Sequence, residues 1–239
     1  MHKNLKQKLG VIYILCVGIL LFVVFSYLDL RDLTDYSYLK NRSLILSEFK
    51  NQNLILFSFL FFIFIVIWVL LLGFASPLAL VAGYVFGKWY GTAISVISLS
   101  IGCTILYSIA LYFLKGKSLE YLENKILKYK FFFNKNEFIY FFLFRFIGGG
   151  GLPFALQNIL PVLFSMKIKN YFYATFLGII PVTFVINSLG SGIEKLIKNN
   201  ESLSLLIIFK DPNIYFPFLG FAIVVLISFL IKKKIFEKS

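Results

Sequence analysis

A single arginine interrupts an apolar stretch in the second half of the chain. Arg145 is the only charged residue in the run 138–147, and it is followed by Gly148, Gly149, Gly150 and Gly151. A second short apolar piece, 152–164, then carries Pro153, Gln157, Asn158 and Pro161. An arginine at membrane depth costs at least about 2.5 kcal/mol on insertion scales and persists where it finds an anion, carbonyls or a watery cavity. Its planar fork suits the two-pronged recognition of phosphate. Adjacent glycines let backbone N–H groups approach the same anion. The expected chemistry is therefore binding of a phosphate-bearing molecule by Arg145 and the glycine turn. The alternative is that Arg145 snorkels to the interface or caps a half-helix through its dipole. Gln157 and Asn158 fit two roles equally, contact with substrate or satisfaction of backbone freed by Pro153 and Pro161.

Other chemistries find little to work with. The one histidine is His2, and the cysteines, Cys16 and Cys103, form no CxxC pair. A His-based triad or a HExxH zinc site is excluded, and no metal or cofactor is expected. The apolar segments hold no paired carboxylates, so an enzyme is the least expected class.

Residues of this kind must be held by elements that suit their solvent. The chain is 59% apolar and 15% charged, with mean hydropathy +0.86. Soluble domains average about 45–50% and about 25%. The deviation indicates an all-α polytopic membrane protein.

The bilayer core needs about 20 apolar helical residues per crossing. Residues 9–28 meet this and lack a signal-peptide cleavage site, so they read as a retained anchor. From residue 51 to residue 87 no charged residue occurs. Residues 54–72 supply a full helix, which Gly73 and Ser76-Pro77 break. Residues 77–87 then reach only about halfway across and read as half of a re-entrant hairpin, buried in protein or lining a cavity. Residues 91–114 form a clean span with small residues along it. The basic segment 115–137 reads as interfacial. The pieces 138–147 and 152–164, parted by the glycines, form a second broken element. Spans at 171–189, containing Gly178 and Pro181, and at 214–231 complete the chain.

The two broken elements overlay at one offset of 76 residues. Gly73 falls on Gly149, Pro77 on Pro153, Ala79 on Ala155, Leu80 on Leu156 and Gly102 on Gly178. Short Gly/Pro-interrupted hydrophobic segments in matching positions of two halves point to a transporter binding site. The expected fold has about five transmembrane helices plus two re-entrant hairpins in an internal, inverted repeat. Residues 1–53 would be an anchor and polar loop, 54–192 the core, and 193–239 a last span and basic tail.

Two segments carry the resemblance to a known family. The run SPLALVAGYVFGKWYG, with Pro77, Gly83, Phe86, Gly87 and Gly91, resembles the "aGyxFGxxxG" element of the VTT-domain, DedA-like membrane proteins. The run FRFIGGGGLPFALQN and the helix after it resemble that family's second re-entrant element. Its pattern of Arg, Pro-Phe, Asn and Gly-x-x-Pro falls on Arg145, Pro153-Phe154, Asn158, Gly178 and Pro181, ending at Gly190. The resemblance covers about half the chain and is closer to the Tvp-like branch than to DedA itself. It implies a lipid-handling protein, since relatives are regarded as lipid flippases or scramblases. The chain departs from DedA-type members in lacking acidic residues near the first hairpin and a second arginine after Arg145. These departures do not support the proton-coupled scheme. The alternatives are a small-solute or ion transporter on the same architecture and a non-transporting membrane scaffold.

The formal charge of +13 sorts the segments by side. Residues 29–53 and 190–213 hold as many acidic as basic residues, so the rest of the chain carries the whole excess. The positive-inside rule then places both termini and segment 115–137 in the cytoplasm, with the chain in a membrane of the bacterial inner (plasma) type. Expected partners are membrane lipids, anionic or phosphate-bearing, and not nucleic acid. The Gly87-to-Gly91 spacing is also that of a helix-dimer motif, which leaves a homo-oligomer open.

Overall fold

The computed structural model describes residues 52–114, 133–198 and 215–223, with isolated positions at 15, 18, 19, 212 and 226. The expected anchor at 9–28 (apart from positions 15, 18 and 19, which are helical), most of the basic segment 115–137, most of the last span and the tail lie outside the described residues. Packing divides the chain into two compact units, 1–52 and 53–239.

The described residues are helical, with no strand among them. Helix α1 is Leu54–Leu70, α2 is Ala75–Phe86 and α3 is Lys88–Leu114. Helix α4 is Glu137–Phe146, α5 is Phe154–Ile159, α6 is Ile168–Gly178 and α7 is Ile180–Lys198. Short 3₁₀ turns, Gly149–Gly151 and Leu160–Phe164, precede and follow α5. Helix α3 is central and packs on α1, α2, α6 and α7. Its buried small residues, among them Ser95, Ser98 and Gly102, allow this close approach. Outward-facing Ile55, Phe59, Phe64 and Ile67 leave α1 apolar on its exposed side too. A helix apolar all round suits lipid and not water.

Among the described residues, Lys88–Phe113 is long and apolar enough to cross a bilayer alone. The stretches Leu54–Leu70, Ala75–Phe86 and Phe154–Phe164 are shorter apolar helices. The expected span at 171–189 falls on two helices, α6 and α7, which together are long and apolar enough to cross and are bent by 41° where they meet. Pro181 explains the bend, because it lacks an N–H and its ring clashes with the preceding turn.

Both expected breaks are present. Leu71 and Ile147, 76 residues apart, end α1 and α4 with nearly the same backbone angles, φ −83°, ψ 15° and φ −85°, ψ 15°. The next residues, Leu72 and Gly148, both take positive φ, 61° and 78°. Side-chain packing follows the same offset. A Cβ on Gly102 would lie 3.1 Å from the Val69 Cβ and 3.3 Å from the Val66 Cα. A Cβ on Gly178 would lie 2.5 Å from the Arg145 Cβ and 3.0 Å from the Phe142 carbonyl oxygen. Positions 69 and 145, 82 and 158, and 95 and 171 are all fully buried.

The first hairpin shows why its residues are small. Pro77 sits in the first turn of α2, where its missing N–H costs no helical bond. Gly87 joins α2 to α3 at φ 78°, a conformation that glycine adopts without penalty. Phe86 packs its ring against Phe57 and Phe61 of α1, at 5.4 and 5.2 Å between centroids. Gly83 and Gly91 admit α7, since a Cβ on either would meet Asn187. The α2–α7 contact is the most extensive between any two of the described elements.

Candidate functional site

Arg145 lies in the last turn of α4, and its side chain points inward. It is 1% exposed, although it is among the largest side chains in the molecule. One Nη donates to Gln157 Oε1 at 3.0 Å, and the other donates to Asn158 Oδ1 and, at 3.0 Å, to the Tyr171 hydroxyl. Tyr171 in turn donates to Asn158 Oδ1 at 3.1 Å. The guanidinium carbon stands 5.0 Å from the Phe141 ring centre and 5.6 Å from that of Phe154, within range for a cation–π attraction. All these partners are neutral, and no acidic side chain pairs with Arg145 among the described residues. Its Nε–H is buried without a hydrogen-bond partner among them.

The sequence brings these groups together by breaking its helices. α4 ends at Phe146, and the positive φ values of Gly148 to Gly151 fold the chain back so that α5 returns beside Arg145. Gln157 and Asn158 follow Pro153 at a spacing that points both amides toward α4. Gln157 holds the turn as well, since its Nε2 donates to Leu152 O at 2.7 Å and to Gly148 O at 3.4 Å. It therefore both satisfies freed backbone and meets the guanidinium. Tyr171 is fixed by a parallel stack on Tyr107, 4.2 Å and 5° apart. Tyr107 itself donates to Met166 O at 2.7 Å. Glu137, at the start of α4, accepts from Asn170 Nδ2 at 2.6 Å and from the Lys167 N–H at 3.3 Å, which ties α4 to the start of α6.

A cavity of about 290 Å³ lies beside this cluster. Ser76 and Ala79 line it from the first break, Arg145, Gly148 and Gln157 from the second, and Thr183 from α7. Pro153 also faces it. Gly149 is buried beneath the Gln157 side chain, while Gly150 and Gly151 are exposed and do not line the cavity. The Gly148 N–H is already used, donating to Arg145 O at 3.0 Å. The guanidinium and the Gln157 amide are thus the polar groups of the second break that border this space. Gly178 lets α6 press on Arg145, and Pro181 bends α7 outside the cluster.

Tyr171 was missed by sequence reasoning, which placed it only at the start of a span. One signal for it is its i, i+4 relation to Thr175, which puts two polar groups on one face of an apolar helix. Tyr171→Phe is expected to lower thermal stability in detergent by about 1 kcal/mol, the scale of a buried membrane hydrogen bond. An unchanged melting curve would show that the hydroxyl bonds are not held in the folded protein.

The fold and site describe a helical membrane protein in which two broken helices meet at a cavity containing one buried cation. A family model agrees, for that of the VTT domain matches residues 73–192, half of the chain. The chain belongs to the VTT domain family, which is membrane-associated. The match begins at Gly73, in the first break, and ends within α7. No solved structure matches the chain.

Proposed function

We propose that this protein moves phospholipids between leaflets, with the lipid phosphate held at Arg145 in the cavity between the two breaks. The observation that carries the reading is a fully buried guanidinium with only neutral partners beside a cavity. A buried charge without a counter-charge is expensive, and an arriving phosphate offsets that cost. The glycine turn contributes close approach through Gly148 and not through a ring of N–H donors. The matching backbone angles and contacts at the 76-residue offset support an internal repeat of two half-membrane elements. Only one half is equipped for an anion, because Val69, Ala82 and Ser95 occupy the positions of Arg145, Asn158 and Tyr171. The two broken elements then hold one phosphate site between them. The protein acts as a transporter and not as an enzyme, in a plasma membrane with both termini in the cytoplasm.

The test is reconstitution into liposomes containing a fluorescent phospholipid that an external reductant bleaches. Bleaching of the inner-leaflet pool is expected with the protein and not with empty liposomes. Small-solute efflux without lipid exchange would overturn the reading in favour of a solute transporter. Absence of both would leave the scaffold role.

A further inference from the structure

The first break has no cation to match Arg145, but it brings the start of a helix to the same cavity. Phe74, Ala75 and Ser76 line that cavity, and Arg145, Gln157 and Thr183 line it from the other elements. Among the described residues that line it, none is acidic. Phe74 is the N-cap of α2, a helix of 12 residues, and its side chain caps nothing. The Phe74 carbonyl accepts the Trp68 indole N–H at 3.0 Å, which fixes the residue that enters the helix. The first N–H groups of a helix have no partner within it and carry the positive end of its dipole. Pro77 has no N–H, so Ala75 and Ser76 supply the donors of the first turn. Neither N–H makes a backbone hydrogen bond among the described residues, and the Ser76 hydroxyl has no partner among them either.

A helix start binds an anion where a second group draws one there. That group is Arg145, 1% exposed, which borders the same space with its Nε–H unpaired among the described residues. At about 290 Å³ the cavity is just below the range of small-molecule sites, about 300–1,000 Å³. A phosphate at the guanidinium therefore lies close to the opposite wall. We infer that the start of α2 is the second wall of the phosphate site, with the Ala75 and Ser76 N–H groups and the Ser76 hydroxyl holding the oxygens that Arg145 does not. This rests on the phosphate reading of Arg145 and extends it, since one break supplies the charge and the other supplies backbone donors. The ligand chemistry is a phosphate group, which both a phospholipid and inorganic phosphate carry.

Melting and binding in detergent test the site without requiring transport. Ser76→Asp puts a carboxylate between the helix start and the guanidinium, and should raise the melting temperature by about 2–4 °C. In the Arg145→Met protein the same substitution should raise it clearly less. Dihexanoyl phosphatidylglycerol and inorganic phosphate are then titrated separately. Ser76→Ala and Ala75→Pro should each weaken phosphate binding about tenfold, by loss of one hydrogen bond to a charged group. Proline is tolerated at a first helical position, and Phe74 already has the extended backbone, φ −71° and ψ 137°, that a residue before proline adopts. Binding of the lipid, weakened in both variants, would support the two-sided site together with the lipid reading. Binding of inorganic phosphate alone, weakened in both, would support the two-sided site and overturn the lipid reading. No rise with Ser76→Asp, an equal rise with and without Arg145, no binding of either ligand, or binding that survives both Ser76→Ala and Ala75→Pro would each overturn the inference. Lipid exchange that depends on Arg145 would stand in that case.

Discussion

Arg145→Lys is expected to reduce lipid exchange by at least about a hundredfold. Hydrogen bonds to charged groups contribute about 1.5–3 kcal/mol each, and losing two of them costs at least about 3 kcal/mol, or two decades. A lysine keeps the charge but not the fork. It cannot face Gln157, Asn158 and Tyr171 in one plane while presenting a remaining N–H edge to a phosphate. Arg145→Met separates function from folding. It removes the buried cation, leaves Tyr171 bonded to Asn158 and leaves Gln157 bonded to the Leu152 carbonyl. Removing a buried charge that has no counter-charge relieves its desolvation cost, which offsets the hydrogen bonds lost to its neutral partners. The methionine variant should therefore insert and melt near the temperature of the unmodified protein, yet exchange no lipid. Normal exchange by Arg145→Met, measured in the same liposome assay, would end the phosphate-grip proposal.

Gly83→Val should be close to a null for folding. Its side chain would occupy the backbone of Asn187 across the α2–α7 contact. Gly190 faces the same contact from the other side, with Leu80 and Tyr84 backbone atoms where its Cβ would be. Backbone cannot rotate away as a side chain can. The two helices would have to separate along the most extensive interface of the core, a cost of about 3 kcal/mol or more. Gly190→Val should behave alike. Gly87→Ala provides the contrast, because its Cβ meets nothing within 4 Å and the penalty is the backbone conformation alone, φ 78° with ψ 169°, about 1–3 kcal/mol. Size-exclusion profiles and melting in detergent would separate the cases. A monodisperse Gly83→Val protein with unchanged melting would mean that α2 and α7 do not cross this closely.

The breaks were legible in the sequence because the residues that make them act locally. Gly148 to Gly151 and Gly87 change the backbone wherever they stand and are found at junctions between helices, while Pro77 stands in the first turn of the helix that follows its break. Arg145 was legible because its cost in an apolar run is independent of its partners. The bend between α6 and α7 was less so. Pro181 is tolerated within many membrane helices, and whether it kinks or divides one depends on neighbouring packing. Tyr171 could not be chosen from 14 tyrosines, since its role comes from Arg145, 26 residues earlier, and from the stack on Tyr107. The limits of α2 and α3 also began earlier than the breakers implied. Ala75, Ser76 and Lys88 join their helices because a first turn accepts residues that an interior would not. The cavity between the start of α7 and residues 215–223, which Lys88, Phe184 and Phe216 line, belongs to no motif. It exists only once α7 and residues 215–223 are side by side.

The chain holds only two tryptophans, and the fold gives each a different address. Trp68 donates its indole N–H to Phe74 O at 3.0 Å, bridging the first break where Phe74 borders the Arg145 cavity. Trp89 packs on Phe184, which lines a second cavity between the start of α7 and residues 215–223. Indole emission is sensitive to polarity and hydrogen bonding. The molecule therefore carries one native fluorophore beside each cavity. With either tryptophan replaced by phenylalanine, the emission of the other reports on a single site, and no dye need be attached.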